Sequence, residues 1–173
     1  MRRLLAYLLT AFGLLCTSVT GQNRVVAGLE ELTRLLQSSL VSFDYSYRTD
    51  EKVAVTGKGS ITVQGKMYVM EGDGLRIWCD SVTRWTLDPE AREAYIETVS
   101  DSPDILSNPL PYINSLTGVK SDGNSISGTY SSQGKDIRFT ITNIRSSERR
   151  SDFSFFRFDP AGLKKDWVVT DLR

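Results

Sequence analysis

Near residue 40 the spacing of apolar residues switches from three-and-four to two, and that switch constrains the fold more than any single motif. Over residues 25–40, Val25, Val26, Leu29, Leu32, Leu36 and Leu40 fall on one helical face, opposite Glu30, Glu31 and Arg34. Beyond it, Phe43, Tyr45 and Tyr47 alternate with Ser42, Asp44 and Ser46, the pattern of a half-buried strand. Further strands are predicted at 60–64, 67–70, 75–79, 83–87 and 93–98, parted by Gly65-Lys66, Gly72-Asp73-Gly74 and Asp88-Pro89-Glu90. Residues 100–119 break the pattern. They hold Pro103, Pro109 and Pro111, with apolar residues at helix-like intervals, and are predicted to form short helical turns. Strands resume at 125–130, 136–141, 152–158 and 167–172. Short strands joined by tight turns predict an antiparallel meander, so the expected class is α+β, mostly β: an N-terminal helix, one long sheet and a short helical insertion.

The alternation nominates the residues that point inward. They are Phe43, Tyr45 and Tyr47; Ile61 and Val63; Tyr68 and Met70; Leu75 and Ile77; Trp85 and Leu87; Phe139 and Ile141; Phe156 and Phe158. Ile113 and Leu116 of the insertion join them, while Leu29, Leu32, Leu36 and Leu110 belong to the segments that cover the sheet. Periodicity leaves two outcomes open for the space they enclose: a packed core, or an apolar pocket.

The first residues read as an export leader. Met1-Arg2-Arg3 is a basic start, residues 4–15 are apolar, and Ser18-Val19-Thr20-Gly21 supplies small residues at a cleavage point. The apolar run is about twelve residues, short of the roughly twenty that cross a bilayer. The expected division is therefore a leader over 1–21 and one domain over 22–173. Cys16 has Leu15 directly before it and Gly13 three before it. A lipoprotein signal needs those two types in the opposite order, so Cys16 is expected to leave with the leader. Cys79 then has no partner for an internal disulfide and is expected to be a small buried strand residue.

Composition removes several chemistries. The chain has no histidine, hence neither the commonest general base nor the commonest metal ligand. No phosphate-binding glycine loop and no Gly-x-Ser-x-Gly elbow occur. Asp80, Asp88, Glu90 and Glu93 leave a carboxylate-pair hydrolase as the enzymatic alternative, but they sit beside turns, where solvated charge is usual. The 21 basic and 21 acidic residues give no excess positive charge for nucleic acid. No cofactor, no metal and no enzyme activity are expected.

The segment 80–89, Asp-Ser-Val-Thr-Arg-Trp-Thr-Leu-Asp-Pro, resembles the central signature of LolA-type carriers of outer-membrane lipoproteins. Glu93-Ala94-Tyr95-Ile96, Gly59-Ser60-Ile61-Thr62-Val63 and Phe156-Arg157-Phe158-Asp159-Pro160-Ala161-Gly162-Leu163 resemble flanking segments of that family, in the same order. Ser81 stands where the family usually carries glycine. Gln64-Gly65-Lys66-Met67-Tyr68 lacks the proline and the lid-holding arginine usual before and in the third strand. The resemblance implies an incomplete barrel, a half-barrel, with helices as a lid over an apolar cavity. It further implies a periplasmic, monomeric carrier that takes lipoprotein acyl chains from an inner-membrane ABC-type release complex to an outer-membrane acceptor. A binder of another lipid or amphiphile on the same fold is the alternative.

Overall fold

The computed structural model describes residues 28–50, 52–99, 110–132 and 134–173. The expected leader, Val25, Val26 and residues 100–109 lie outside the described residues. Helix α1 (Leu29–Ser38) turns Leu32, Leu35 and Leu36 inward and carries Glu30 and Glu31 in its first turn, where the helix dipole favours negative charge. Ser39 closes it by donating its N–H to the Leu35 carbonyl at 2.9 Å. The helix is shorter at its C-terminal end than the expected one, because Leu40 already begins strand β1 (Leu40–Thr49).

An antiparallel meander follows: β1, β2 (Thr56–Gln64), β3 (Met67–Gly72), β4 (Leu75–Cys79), β5 (Thr83–Asp88) and β6 (Glu93–Thr98). The β3–β4 connection shows why the sequence turns there. Asp73 and Gly74 both have positive φ, 52° and 82°, as a two-residue turn matching the strand twist requires. After the short helix α2 (Leu110–Ile113), β7 (Thr117–Asp122), β8 (Ser125–Ser132) and β9 (Lys135–Ser147) form a second meander. Strand β9 pairs with β1 and so joins the two meanders. The result is one open ten-stranded sheet in the order β10-β6-β5-β4-β3-β2-β1-β9-β8-β7, mostly β as expected and not closed into a barrel.

Three local expectations are corrected. Residues 117–119, expected to be helical, open strand β7; its side chains are almost all exposed, so no apolar alternation marked it. Residues 152–158, expected to form a strand, contain a 3₁₀ turn at Ser154–Phe156. There Asp152 accepts both the backbone N–H of Ser154 (2.9 Å) and its hydroxyl (2.8 Å), a local bond that competes with strand extension. The last strand, β10 (Val168–Asp171), lies parallel to β6 rather than continuing the antiparallel order.

Register divides the apolar residues between two faces. Directly opposed residues share a face, and on the front face Phe43, Ile61, Met70 and Ile77 form one such row across β1 to β4. Tyr45 continues to Ile141 and Ile126, and Tyr47 to Phe139, across β9 and β8. Helix α1 lies over β1 and β2, and Tyr112 of α2 meets Tyr130 and Phe139 with ring centroids 4.7 and 6.1 Å apart. Beyond β4 the rows cross over. Trp78 opposes Trp85, Arg76 opposes Leu87, and Ile77 opposes Thr86. Trp85, Leu87, Ala94 and Ile96 therefore belong to the back face.

The chain after β9 covers that back face. The 3₁₀ turn packs near β3, and the Phe158 ring lies 4.9 Å from Trp78. Gln64, fully buried, donates to the Arg150 carbonyl at 3.1 Å and accepts the Arg150 N–H at 2.7 Å. Arg157 pairs with Asp80 at 3.0 Å and Arg92 with Asp166 at 2.6 Å.

Candidate functional site

The front face is the larger apolar surface and gathers most of the residues that alternation nominated. Phe43, Tyr45, Tyr47, Ile61, Val63, Tyr68, Met70, Ile77, Ile113, Leu116, Phe139 and Ile141 are all buried in one cluster, with Leu75 packed against it. The covering residues Leu32 and Leu36 are buried there too, and Leu29 and Leu110 are partly so. Alternation missed Leu35, Val41, Ile126 and Ile144. Leu35 and Val41 extend the stripes already read. Ile144 reaches the front only because a bulge at Asn143, with φ 54°, shifts the register of β9.

Trp85, Leu87, Phe156 and Phe158 do not join this cluster, which corrects the expectation that they line the same space. The physical reason is the turn before β5. Asp80 donates its N–H to the Thr83 carbonyl at 3.1 Å, closing a two-residue turn at Ser81-Val82. Such a turn puts the even-numbered residues of β5 on the face held by the odd-numbered residues of β4, and the apolar residues of β5 are odd-numbered. Phe156 is nevertheless fully buried, on the back.

Close backbone approach shapes one end of the front face. A methyl group at Gly59 would stand 2.5 Å from the Glu71 carbonyl oxygen and 2.7 Å from the Tyr45 hydroxyl, so glycine is what lets the Tyr45 hydroxyl and the β3 backbone come this close. Tyr47 donates its hydroxyl to Asp73 at 3.2 Å, and Asp73 also accepts the Lys58 N–H at 3.1 Å. Burial, reinforced by Asp73 and by Tyr47, pushes the Tyr45 hydroxyl well above the usual tyrosine range, so it stays neutral. Cys79 is buried as expected, and burial pushes its thiol up, away from nucleophilic thiolate.

Where the apolar residues cross to the back, polar ones take over the front. Arg84, Thr86, Tyr95 and Glu97 occupy front positions of β5 and β6. The Arg84 Nε and Nη2 both donate to Glu97 Oε2, at 3.1 and 2.7 Å, and Arg84 is also hydrogen-bonded to the Tyr68 hydroxyl. Burial alone would lower the Arg84 pKa, and the bond to Glu97 reverses that, so the guanidinium stays charged. No periodicity flagged this pair, since a charged residue between apolar ones reads as solvent-facing.

Two of the four carboxylates of the enzymatic alternative serve turns. Asp80 accepts the N–H groups of Val82 and Thr83 at 3.1 and 2.9 Å, and Asp88 those of Glu90 and Ala91 at 3.0 and 2.9 Å. Glu93 accepts the Tyr95 hydroxyl. Among the described residues no three of His, Cys, Asp or Glu stand together as a metal site, and no helix is long and apolar enough to cross a membrane. Two concavities lie off the apolar front. One of about 350 Å³ is bordered by Arg92, Lys164, Asp166 and Trp167, and one of about 130 Å³ by Ser42, Asp44, Asn143 and Arg145. In each the carboxylate is already held, Asp166 by Arg92 and Asp44 by the Asn143 amide at 2.6 Å.

The chain matches no protein-family model, and no curated protein matches it at a significant level.

Proposed function

We propose that the front face binds acyl chains and that the protein is an exported carrier of lipoprotein acyl chains, working as a monomer without a cofactor. The observation that carries this reading is the form of the cover. A contiguous apolar face on β1 to β4, β8 and β9 is roofed by a ten-residue helix and a four-residue helix. Near the C-terminal end of α1, Gly65 donates its N–H to the Leu36 carbonyl at 3.0 Å, and Arg149 donates to the Gln37 carbonyl at 2.8 Å. Its leucine face rests on the sheet by apolar contact, which another hydrocarbon can replace. In this reading the open sheet is the half-barrel, and α1 with α2 is the lid.

Energetics support the exchange. Burying one CH₂ contributes about 0.8 kcal/mol, so a sixteen-carbon chain represents on the order of 12 kcal/mol. That is comparable with the whole stability of a domain, about 5–15 kcal/mol. Leu32, Leu35 and Leu36 leaving the face as an acyl chain arrives trades one apolar contact for another, which keeps the opening nearly balanced. The location is the periplasm, the donor an inner-membrane ABC-type release complex and the recipient an outer-membrane acceptor, all as the resemblance implies. A carrier of another amphiphile is the second reading, and the charged pair on the same face favours it.

The test is a photoactivatable palmitoyl probe cross-linked to the exported protein, with the adducts mapped by peptide mass spectrometry. Adducts on the peptides that carry Phe43, Met70 and Phe139 are expected. Adducts confined to the peptides of Trp85 and Phe156, or none at saturating probe, would sink the proposal.

A further inference from the structure

We infer that Arg84 and Glu97 form a head-group site, by which the front face selects amphiphiles with an anionic head, a carboxylate or a phosphate, over uncharged ones. The inference rests on the acyl-binding reading of that face and narrows its ligand. Its ground is the register. Cys79 opposes Arg84, and both Cys79 and Tyr68 belong to the apolar cluster, so the guanidinium stands at the border where hydrocarbon contact ends. Tyr68 bridges the border, its ring among apolar side chains and its hydroxyl on Arg84.

The pair is poorly suited to a purely structural role. A part-buried ion pair gives up solvation and often stabilises no better than apolar residues of the same size. The Arg84 side chain is 17% exposed and that of Glu97 31%. Two of the Arg84 donors, Nε and Nη2, converge on the single oxygen Oε2 of Glu97. A guanidinium binds best when two parallel N–H groups meet two oxygens. A ligand carboxylate or phosphate offers those two oxygens, and Glu97, the more exposed partner, can swing into water to make room. Glu97 is thus the internal anion that holds the site while no ligand is bound. An acyl tail lying over Met70 and Ile77 brings its head to this edge, because the two rows are neighbours on β3, β4 and β5.

The experiment uses the delipidated mature protein and displacement of an uncharged fluorescent hydrophobic probe. The competitors are palmitate, hexadecyl phosphate, hexadecanol and inorganic phosphate. Palmitate and hexadecyl phosphate are expected to bind about tenfold or more tighter than hexadecanol, the range of a charge-assisted hydrogen bond. Arg84→Gln is expected to erase that preference and leave hexadecanol unchanged. Glu97→Gln, which removes the competing anion, is expected to tighten palmitate several-fold and keeps the proposal testable if Arg84→Gln fails to fold. Equal wild-type affinity for palmitate and hexadecanol would overturn the head-group site and leave the acyl-binding reading standing. So would Arg84→Gln weakening both ligands alike, or inorganic phosphate competing as well as hexadecyl phosphate. No displacement by any tailed compound would overturn both.

Discussion

The two faces of the sheet are both apolar, yet they are covered by chain of opposite character. The front is roofed by α1 and α2, whose leucines, isoleucine and tyrosine pack into the apolar cluster. The back is strapped by residues 148–173, fixed at Gln64, at Asp80 and at Arg92, and finally by β10 laid along β6. A cover held by non-directional contact can be exchanged for another hydrocarbon. A cover held at several points by directional bonds cannot leave without orphaning each of them. On the proposed reading the front is the binding face and the back is structural closure.

The strongest way to break the contrast is to hollow each face in turn. Phe139 is 1% exposed on the front and Phe156 0% on the back, so either alanine variant is expected to lose about 3–5 kcal/mol in urea denaturation. On the proposed reading the difference emerges on adding palmitate, because a ligand of the folded state stabilises it. Phe139→Ala leaves a void that hydrocarbon can fill, so the ligand should recover part of its loss and none of the loss from Phe156→Ala. Equal recovery would erase the distinction between the faces.

Gly59→Ala comes next, because its methyl meets backbone at Glu71 and Gly72, which cannot step aside. A loss of about 1–3 kcal/mol is expected, read in the same denaturation series. Because the Tyr45 ring must shift, the tyrosine near-UV circular dichroism should change with it.

Asp80 tests the back strap. Burial would raise its pKa, but the N–H groups of Thr83 and Val82 and the Arg157 guanidinium hold it below the usual carboxylate range. A group depressed in this way contributes its stability above the unfolded carboxylate value, near 4, and loses it as pH falls through the folded value. Asp80→Asn is therefore expected to cost about 1 kcal/mol at neutral pH, with wild type and variant converging below about pH 4. Parallel pH curves for the two proteins would show that the carboxylate charge is not what secures the strap.

The smallest effect is a gain. Ser81 has φ 80°, in the left-handed region that favours glycine, at the position where the resemblance expects glycine. Ser81→Gly is expected to raise stability by up to about 1 kcal/mol, measured as a higher melting temperature, by relieving that strain. A lower melting temperature would show that the turn uses the serine side chain.

The apolar stripe of α1 was legible because a helix face depends only on spacing along the chain, and Leu32 and Leu36 landed where the stripe put them. Strand positions were legible from Gly65-Lys66 and Asp73-Gly74, because turn chemistry is local. The turn at Ser154 was not, since Phe156 and Phe158 alternate as a strand would while Asp152 binds Ser154 instead. Nor was β7, whose exposed edge carries no period at all. Of the nominated lining residues, those on β1 to β4 and β9 came together, and those on β5 and in the C-terminal segment did not.

The sequence by itself determined the one-helix-then-meander order, a mostly β domain, and the lack of histidine chemistry. Only the tertiary structure decided which face each apolar residue serves. Alternation says that Trp85 and Leu87 point the same way, but not which way. That depends on whether the turn before them holds an even or an odd number of residues. With two, at Ser81 and Val82, the tryptophan goes to the back and Arg84 comes to the front, and an apolar sheet acquires a charged border.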